Sequence, residues 1–375
     1  MKRRLTIFSD VQNIASALEK IIATNALKSA KWNDLEISEI QDDALHNRKV
    51  CGPSQANSMP FVFQPDNLHA HTLQKLRDTE ILIAEPATLA AILKHDPNAL
   101  PNLKWCQSTF AGVDTMFDAG FTMPLPFTLT RFAGTLGQPI AEWCLARIIS
   151  HERRFDIVAR DQATKSLWAS DSGHANPLVM DYRCLNELTL VILGGCGNIG
   201  QRIAKAAKYG FGMKTIAYTH RKQNGVVQVL PDGIDECTDD LSHALREADY
   251  LVSVLPSTPA TKGLLSSETF AAASKTNGGK CPVFLNVGRG DVVTNELSLL
   301  KALDNGFISF AILDVFVEEP LPYDNPLWDR EDVIVSPHAS GITRGGVLPE
   351  LFLKNYERYV SNDNLNHVVD WSKGY

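Results

Sequence analysis

The chain has 375 residues, with 36 lysines and arginines against 43 aspartates and glutamates, a formal net charge of −7, and 44% hydrophobic residues. That length suits two compact domains, and that hydrophobic share excludes a globally disordered chain. The acidic balance lacks the basic face a nucleic-acid surface needs, no membrane patch is suggested, and no apolar run approaches the roughly 18–20 residues required to span a bilayer.

The opening stretch, Met1 to Asp10, has basic residues followed by only a few apolar ones. It reads as a first strand rather than a secretory signal, so a cytoplasmic protein is expected. In the first part Leu5–Phe8, Ile81–Ala84 and Trp105–Ser108 read as strands. Val11–Ala30 reads as a helix, with Ile14, Ala17, Leu18, Ile21 and Ile22 on one face. Residues 31–65 are irregular and give no clear order of elements.

Near Gly134 the texture changes. Gly134-Thr135-Leu136-Gly137-Gln138-Pro139 reads as a loop ending with proline in the first turn of a helix. That helix, Ile140 to about Arg154, is long enough to bridge two domains. Ala163–Pro177 is polar and turn-rich, and regular alternation resumes at Leu188. Strands are then expected at Thr189–Leu193, Thr215–Tyr218, Tyr250–Val254, Val283–Val287, Ser309–Leu313 and Val333–Val335. Helices fit between them: Thr294–Asp304 with Leu297, Leu300 and Leu303 inward, and a stripe of Leu241, Ala244, Leu245 and Ala248. A last helix, Gly346–Val360, is placed to fold back on the first domain. Strands alternating with amphipathic helices indicate parallel sheets covered by helices, hence an α/β fold. The expected domains are 1–134 with 339–375, and 135–338.

The sharpest motif follows an apolar strand. Leu188-Thr189-Leu190-Val191-Ile192-Leu193 runs into Gly194, and Gly195-x-Gly197-x-x-Gly200 then opens a helix from Gln201 to Tyr209. In a dinucleotide-binding turn the first glycine allows the tight turn, the second lets the backbone approach a pyrophosphate, and the third permits close helix–strand packing. The helix N-terminus adds free N–H donors and a partial positive charge. An NAD enzyme usually carries a carboxylate about 20 residues further on, for the ribose 2′-hydroxyl. Here the sequence is Tyr218-Thr219-His220-Arg221-Lys222. With no carboxylate and two cations able to meet a 2′-phosphate, NADP(H) is favoured and NAD(H) is the alternative.

Three later segments place polar residues just past strands: Arg289 in Asn286-Val287-Gly288-Arg289-Gly290, Glu319 in Leu313–Pro320, and His338 in Val335–Gly341. Ligands of open parallel sheets bind at the C-terminal strand edge, so these side chains should converge there. Reduction of a 2-oxo acid needs a fork of donors for the carboxylate, which arginine offers. It needs a proton donor for the carbonyl oxygen, which histidine supplies near neutrality. It also needs a carboxylate to orient that imidazole and favour its protonated form.

On these residues the chain resembles the D-isomer-specific 2-hydroxyacid dehydrogenase family, most of all its glyoxylate/hydroxypyruvate reductase branch. The matching segments are Ser108-Thr109-Phe110-Ala111-Gly112-Val113-Asp114, Ala141-Glu142-Trp143, Gly195–Gly200, Leu255-Pro256-Ser257-Thr258-Pro259-Ala260-Thr261, Val287–Gly290, Leu313–Pro320 and Pro337-His338. The resemblance implies two doubly wound parallel-sheet domains, a Rossmann nucleotide domain inserted into a flavodoxin-like substrate domain, and a homodimer. It implies that Arg289, Glu319 and His338 are catalytic, and that the amides of Ala111 and Gly112 join Arg289 and His338 in holding a small 2-oxo or 2-hydroxy acid. Asp314 would meet the nicotinamide carboxamide, and Leu255 and Pro256 the adenosine side. Asn198, Ile199, Thr219, His220, Arg221, Thr261, Val287 and Gly288 complete the cofactor contacts, with Arg289 and His338 beside them.

Two other readings keep the fold. One is a nucleotide-sensing scaffold like the C-terminal binding protein corepressors, and the other a family dehydrogenase acting on phosphoglycerate or formate. The seven cysteines form no CxxC and no metal-ligand spacing, so no metal is expected. Cys196, inside the glycine turn, departs from the family pattern and raises the idea of redox control, against the plainer reading of a small residue at a tolerant position.

Overall fold

The computed structural model describes residues 2–25, 30–40, 68–164, 177–219, 230–272 and 281–374. Two units divide the chain: Met1–Thr135 with Ile342–Tyr375, and Leu136–Gly341.

The first unit holds strands β1 (Arg3–Phe8), β2 (Leu35–Glu39), β3 (Ile81–Ala84), β4 (Trp105–Ser108) and β5 (Thr128–Thr130). They form one parallel sheet in the order β2-β1-β3-β4-β5, with Leu5 facing Ile81 and Ile81 facing Trp105. This is the flavodoxin-like order. The two central strands, β3 and β4, are buried along their whole length, as sheets covered on both faces require. One face packs Phe8, Leu82 and Cys106 against Leu89, Ile92 and Met116. On Trp105 the ring of Phe352 stacks at 4.9 Å, and the indole N–H donates to Thr130 Oγ1 at 2.8 Å. Phe352 belongs to the helix Leu348–Val360, so the chain's last helix completes the core of its first domain.

Among the described residues the first helix runs Ile14–Asn25, so it starts three residues later than the expected Val11. Asn13 takes a left-handed φ of 65°, which sets the start of the helix at Ile14, and only Ile14 and Leu18 are fully buried. Residues 26–29 lie outside the described residues, as do 41–67, most of the irregular stretch.

The second unit holds β6 (Thr189–Leu193), β7 (Lys214–Tyr218), β8 (Glu236–Thr238), β9 (Tyr250–Ser253), β10 (Val283–Asn286), β11 (Phe310–Leu313) and β12 (Val333–Val335). All pair in parallel, in the order β12-β11-β10-β9-β6-β7-β8. This is the Rossmann order extended by one strand, and the order reverses between β6 and β9. The long helix expected to bridge two domains is Gly137–Glu152, wholly inside this unit. Its Gly137 lies so close to the helix Asn198–Phe211 that a Cβ there would sit 3.2 Å from Arg202 Cβ. Arg154, with φ 50°, follows its end.

Helix Asn198–Phe211 buries Gly200, Ile203, Ala204 and Ala207, a single stripe at helical spacing. Burying Ile203 fully contributes roughly 1.5–3 kcal/mol. Helix Glu296–Asp304 is capped by Asn295, whose Oδ1 accepts the N–H of Ser298 at 2.8 Å. The inward face expected there is corrected: Leu299, Ala302 and Leu303 are buried, Leu300 only partly, and Leu297 is 58% exposed. Leu297 lies on the helix face shared with exposed Lys301 and Asp304, turned about 200° from the buried Leu299. Among the described residues no helix is long and apolar enough to cross a membrane.

Candidate active site

The site begins at the glycine turn after β6, beside the reversal in strand order. The left-handed residue of this turn is Gly194, with φ 90°, one position before the motif's first glycine. Gly195 is required for a different reason: a Cβ there would stand 2.6 Å from Ala217 Cβ on β7. Gly200 is the tightest contact, since its Cβ would lie 2.5 Å from Gly194 O and 2.6 Å from Gly195 Cα. Gly197 caps the helix Asn198–Phe211 without any side-chain hydrogen bond, and Gly197 and Asn198 are exposed. The first-turn amides therefore face outward at the positive end of a helix dipole, which is what a pyrophosphate requires. Ile199 is partly buried behind them.

Thr219 ends β7, donating its N–H to Thr238 O at 3.0 Å. His220 and Arg221 lie outside the described residues. After β9, Leu255 is buried and Pro256 exposed. Thr261 is buried, and its hydroxyl bonds back to Pro256 O and accepts Thr258 N–H at 2.9 Å, closing the turn. Its visible work is to shape that loop.

Arg289 sits between two glycines that neighbouring backbone leaves no room to replace. A Cβ on Gly288 would lie 2.6 Å from Leu255 O, and one on Gly290 only 2.0 Å from the Phe316 carbonyl carbon. Buried Asn286 completes the clamp, its Nδ2 donating to Arg289 O at 2.9 Å and its Oδ1 accepting Gly288 N–H at 3.2 Å. Val287 is tied to β9 through Ser253 O at 3.1 Å. The role of Asn286 was not read from the sequence. Its only signal there is a lone amide ending the apolar run Val283-Phe284-Leu285.

His338 lies two loops away, past β12, and is about half exposed. Its Nδ1 is 2.8 Å from Glu319 Oε2, while Glu319 Oε1 accepts the N–H of Phe316 at 2.9 Å. With Nδ1–H donating to Glu319, Nε2 is left to carry a transferable proton. The Glu319 hydrogen bond raises the His338 pKa above the ordinary histidine value, against burial and the nearby Arg289 charge, which lower it. The imidazole's main chain is left-handed, φ 51°, a conformation that costs a non-glycine residue on the order of 1–3 kcal/mol. Asp314, fully buried at the end of β11, holds it there. Its carbonyl accepts His338 N–H at 2.9 Å, and its two carboxylate oxygens accept Ala339 and Ser340 N–H, each at 2.9 Å. Hydrogen bonds to a charged acceptor contribute roughly 1.5–3 kcal/mol each, which outweighs the strain.

Two other histidines of this unit show why position matters. His243 Nε2 lies 2.6 Å from Glu236 Oε1, a comparable pair, but Glu236 opens β8 at the opposite edge of the sheet from β12. His151 Nδ1 bonds the Tyr250 hydroxyl at 2.7 Å, and burial pushes its pKa down to about 4, so it stays neutral. Among the described histidines of this unit, only His338 shares the C-terminal ends of adjacent strands with Arg289 and Asp314.

In the first unit, Ala111 and Gly112 follow β4 and are partly buried. No acceptor among the described residues takes their amide N–H groups. Also among the described residues, no three His, Cys, Asp or Glu side chains are grouped to hold a metal ion.

The family model for the NAD binding domain of D-isomer specific 2-hydroxyacid dehydrogenases matches residues 145–340, just over half of the chain. The chain belongs to this family. It is an NAD(P)-dependent oxidoreductase. An uncharacterized protein from Corynebacterium melassecola is 29% identical over 284 residues, covering 74% of this chain and 86% of that one. A D-isomer specific 2-hydroxyacid dehydrogenase family protein from Aeromonas salmonicida subsp. salmonicida is 28% identical, with a TM-score of 0.75 over 99% of this chain and all of that one. The NADPH-dependent glyoxylate/hydroxypyruvate reductase of Sinorhizobium meliloti, solved with NADP and sulfate, is 25% identical, with a TM-score of 0.71 over the whole of both chains. The glycine turn fits the dinucleotide that such a domain holds, by its uncapped amides and by the absence of space for a larger residue at Gly195 and Gly200.

Proposed function

We propose that this dehydrogenase reduces a small 2-oxo acid such as glyoxylate or hydroxypyruvate, with NADPH favoured over NADH. The observation that carries the reading is the His338–Glu319 pair, 2.8 Å apart at the C-terminal edge of the nucleotide-type sheet. The bound cofactor supplies the hydride. Glu319 orients the imidazole and favours its charged form, and His338 gives a proton from Nε2 to the substrate's carbonyl oxygen. Arg289, fixed by its two glycines, offers a planar pair of donors to the carboxylate. Asp314 keeps the histidine's loop in place and has carboxylate lone pairs left over for a carboxamide. The first unit by itself offers the Ala111 and Gly112 amides, donors of the kind a carboxylate takes.

Support for a short substrate comes from the Sinorhizobium meliloti reductase, whose name gives glyoxylate and hydroxypyruvate and which was solved with NADP. Support for NADPH comes also from the sequence after β7, which has no carboxylate for a ribose 2′-hydroxyl and places Arg221 there. Steady-state oxidation of NADPH and NADH against a panel of 2-oxo acids tests both points. Highest kcat/KM for glyoxylate or hydroxypyruvate with NADPH is expected; no turnover with any 2-oxo acid would defeat the reading.

A further inference from the structure

Cys196 and Cys237 are far apart in sequence and adjacent in space, their sulfurs 3.7 Å apart. Cys196 occupies the position between Gly195 and Gly197, and Cys237 is the middle residue of β8. The fold explains the meeting. Cys237 pairs in register with Ala217 on β7, and Gly195 packs directly on the Ala217 side chain, so the next residue of the turn arrives beside Cys237. Both thiols are partly buried against the same apolar cluster beneath the helix Asn198–Phe211. The other cysteines among the described residues stand otherwise: Cys106 and Cys144 are buried, and Cys184 and Cys281 make no such pair.

We propose that Cys196 and Cys237 are a modification site, closing to a reversible disulfide that weakens dinucleotide binding at the glycine turn. The proposal rests on the reading of that turn as the pyrophosphate site. Closing 3.7 Å to a sulfur–sulfur bond of about 2.05 Å needs a shift of about 1.7 Å. Rotation of the two side chains supplies part of this; Gly195 and Gly200 are packed closely on their neighbours, so the main-chain part within the turn falls on Cys196 and Gly197, at the proposed pyrophosphate site. On the other side the only element to yield is β8, a three-residue edge strand.

The oxidant is hydrogen peroxide. The Cys196 thiolate attacks one peroxide oxygen, the sulfur–oxygen bond forms, the oxygen–oxygen bond breaks, and hydroxide leaves to become water. The Cys237 sulfur then attacks the sulfenic sulfur, the sulfur–sulfur bond forms, and the hydroxyl leaves with the Cys237 proton as a second water. Two thiols lose two electrons and one peroxide gains them. Burial and the neighbouring Cys196 raise the Cys237 thiol, and Cys196, next to the exposed Gly197 in the turn, is the sulfur that meets the oxidant first. A dithiol reductant reverses the change.

The test uses the full chain, reduced and then treated with hydrogen peroxide. Peptide mass spectrometry without reduction reads the cross-link, and titration with NADPH reads affinity. A Cys196–Cys237 cross-link lighter by two hydrogens is expected, with NADPH affinity weaker by about tenfold or more, both restored by dithiothreitol. Cys237→Ser should bind NADPH like the reduced wild type, form no cross-link and keep its affinity after peroxide. Absence of the cross-link, or a cross-link with unchanged NADPH affinity, overturns the proposal. Gly197→Ala in the reduced protein separates the two ideas: if it binds NADPH as tightly as wild type, the turn itself was misassigned.

Discussion

Asp314 holds His338 by the main chain, its carbonyl accepting the histidine N–H at 2.9 Å while its carboxylate takes the N–H groups of the next two residues. A buried acid at the end of one strand thereby sets the backbone of the proposed proton donor that follows the next. Arg289 is held differently, by glycines packed on Leu255 and Phe316 and by the Asn286 amide. Both residues are held at the main chain, by groups that need not touch a substrate.

Asp314→Ala should therefore do two things. It strands the N–H groups of Ala339 and Ser340, which costs on the order of 2–4 kcal/mol in urea unfolding. It also loosens the loop just after His338, whose own N–H keeps the main-chain carbonyl of residue 314, so kcat should fall even where the protein remains folded. Wild-type stability and kcat in this variant would show that the clamp has no effect.

Glycine replacements in the turn should separate folding from binding. Gly200→Ala forces a Cβ to 2.5 Å from Gly194 O, so both thermal stability and NADPH affinity should drop. Gly197→Ala meets only Gly194 O, at 3.2 Å, so the protein should stay near wild-type stability while NADPH binding weakens by about tenfold. Calorimetry with and without NADPH reads both quantities. Equal behaviour of the two variants would contradict the assigned roles.

His338→Ala removes the proposed proton donor without disturbing the glycine turn. Turnover of a 2-oxo acid should fall by roughly 10²–10⁴-fold, while the NADPH dissociation constant stays within about threefold of wild type. Unchanged turnover would remove His338 from the chemistry.

The parts of the fold that the sequence displayed are the central strands. Runs such as Leu190–Leu193 and Phe284–Leu285 are apolar because both their faces are covered, and the glycine turn followed from them. The strands it hid, β2, β5 and β8, all lie at sheet edges. Leu35-Glu36-Ile37-Ser38-Glu39, Thr128-Leu129-Thr130 and Glu236-Cys237-Thr238 carry polar residues because an edge is half-wet, and they are held by pairing on one side only. In the site, Arg289, Glu319 and His338 were legible as polar residues just past strands. The clamps were not, since the bonds of Asp314 to residues 338–340 and the proximity of Cys196 to Cys237 exist only once distant segments have met.

In the proposed reaction Glu319 keeps His338 charged so that it can protonate the carbonyl oxygen. The Glu319 bond raises the folded His338 pKa, so the protonated donor is present at low pH and lost as pH rises through that raised value; the stability this pair contributes disappears over the same range. The direct test is the pH profile of kcat/KM for 2-oxo acid reduction, in wild type and in Glu319→Gln. The wild-type rate should hold past the ordinary histidine range before falling, and in Glu319→Gln the fall should move to lower pH. Superimposable profiles, or a rate that stays flat into strong alkali, would contradict it.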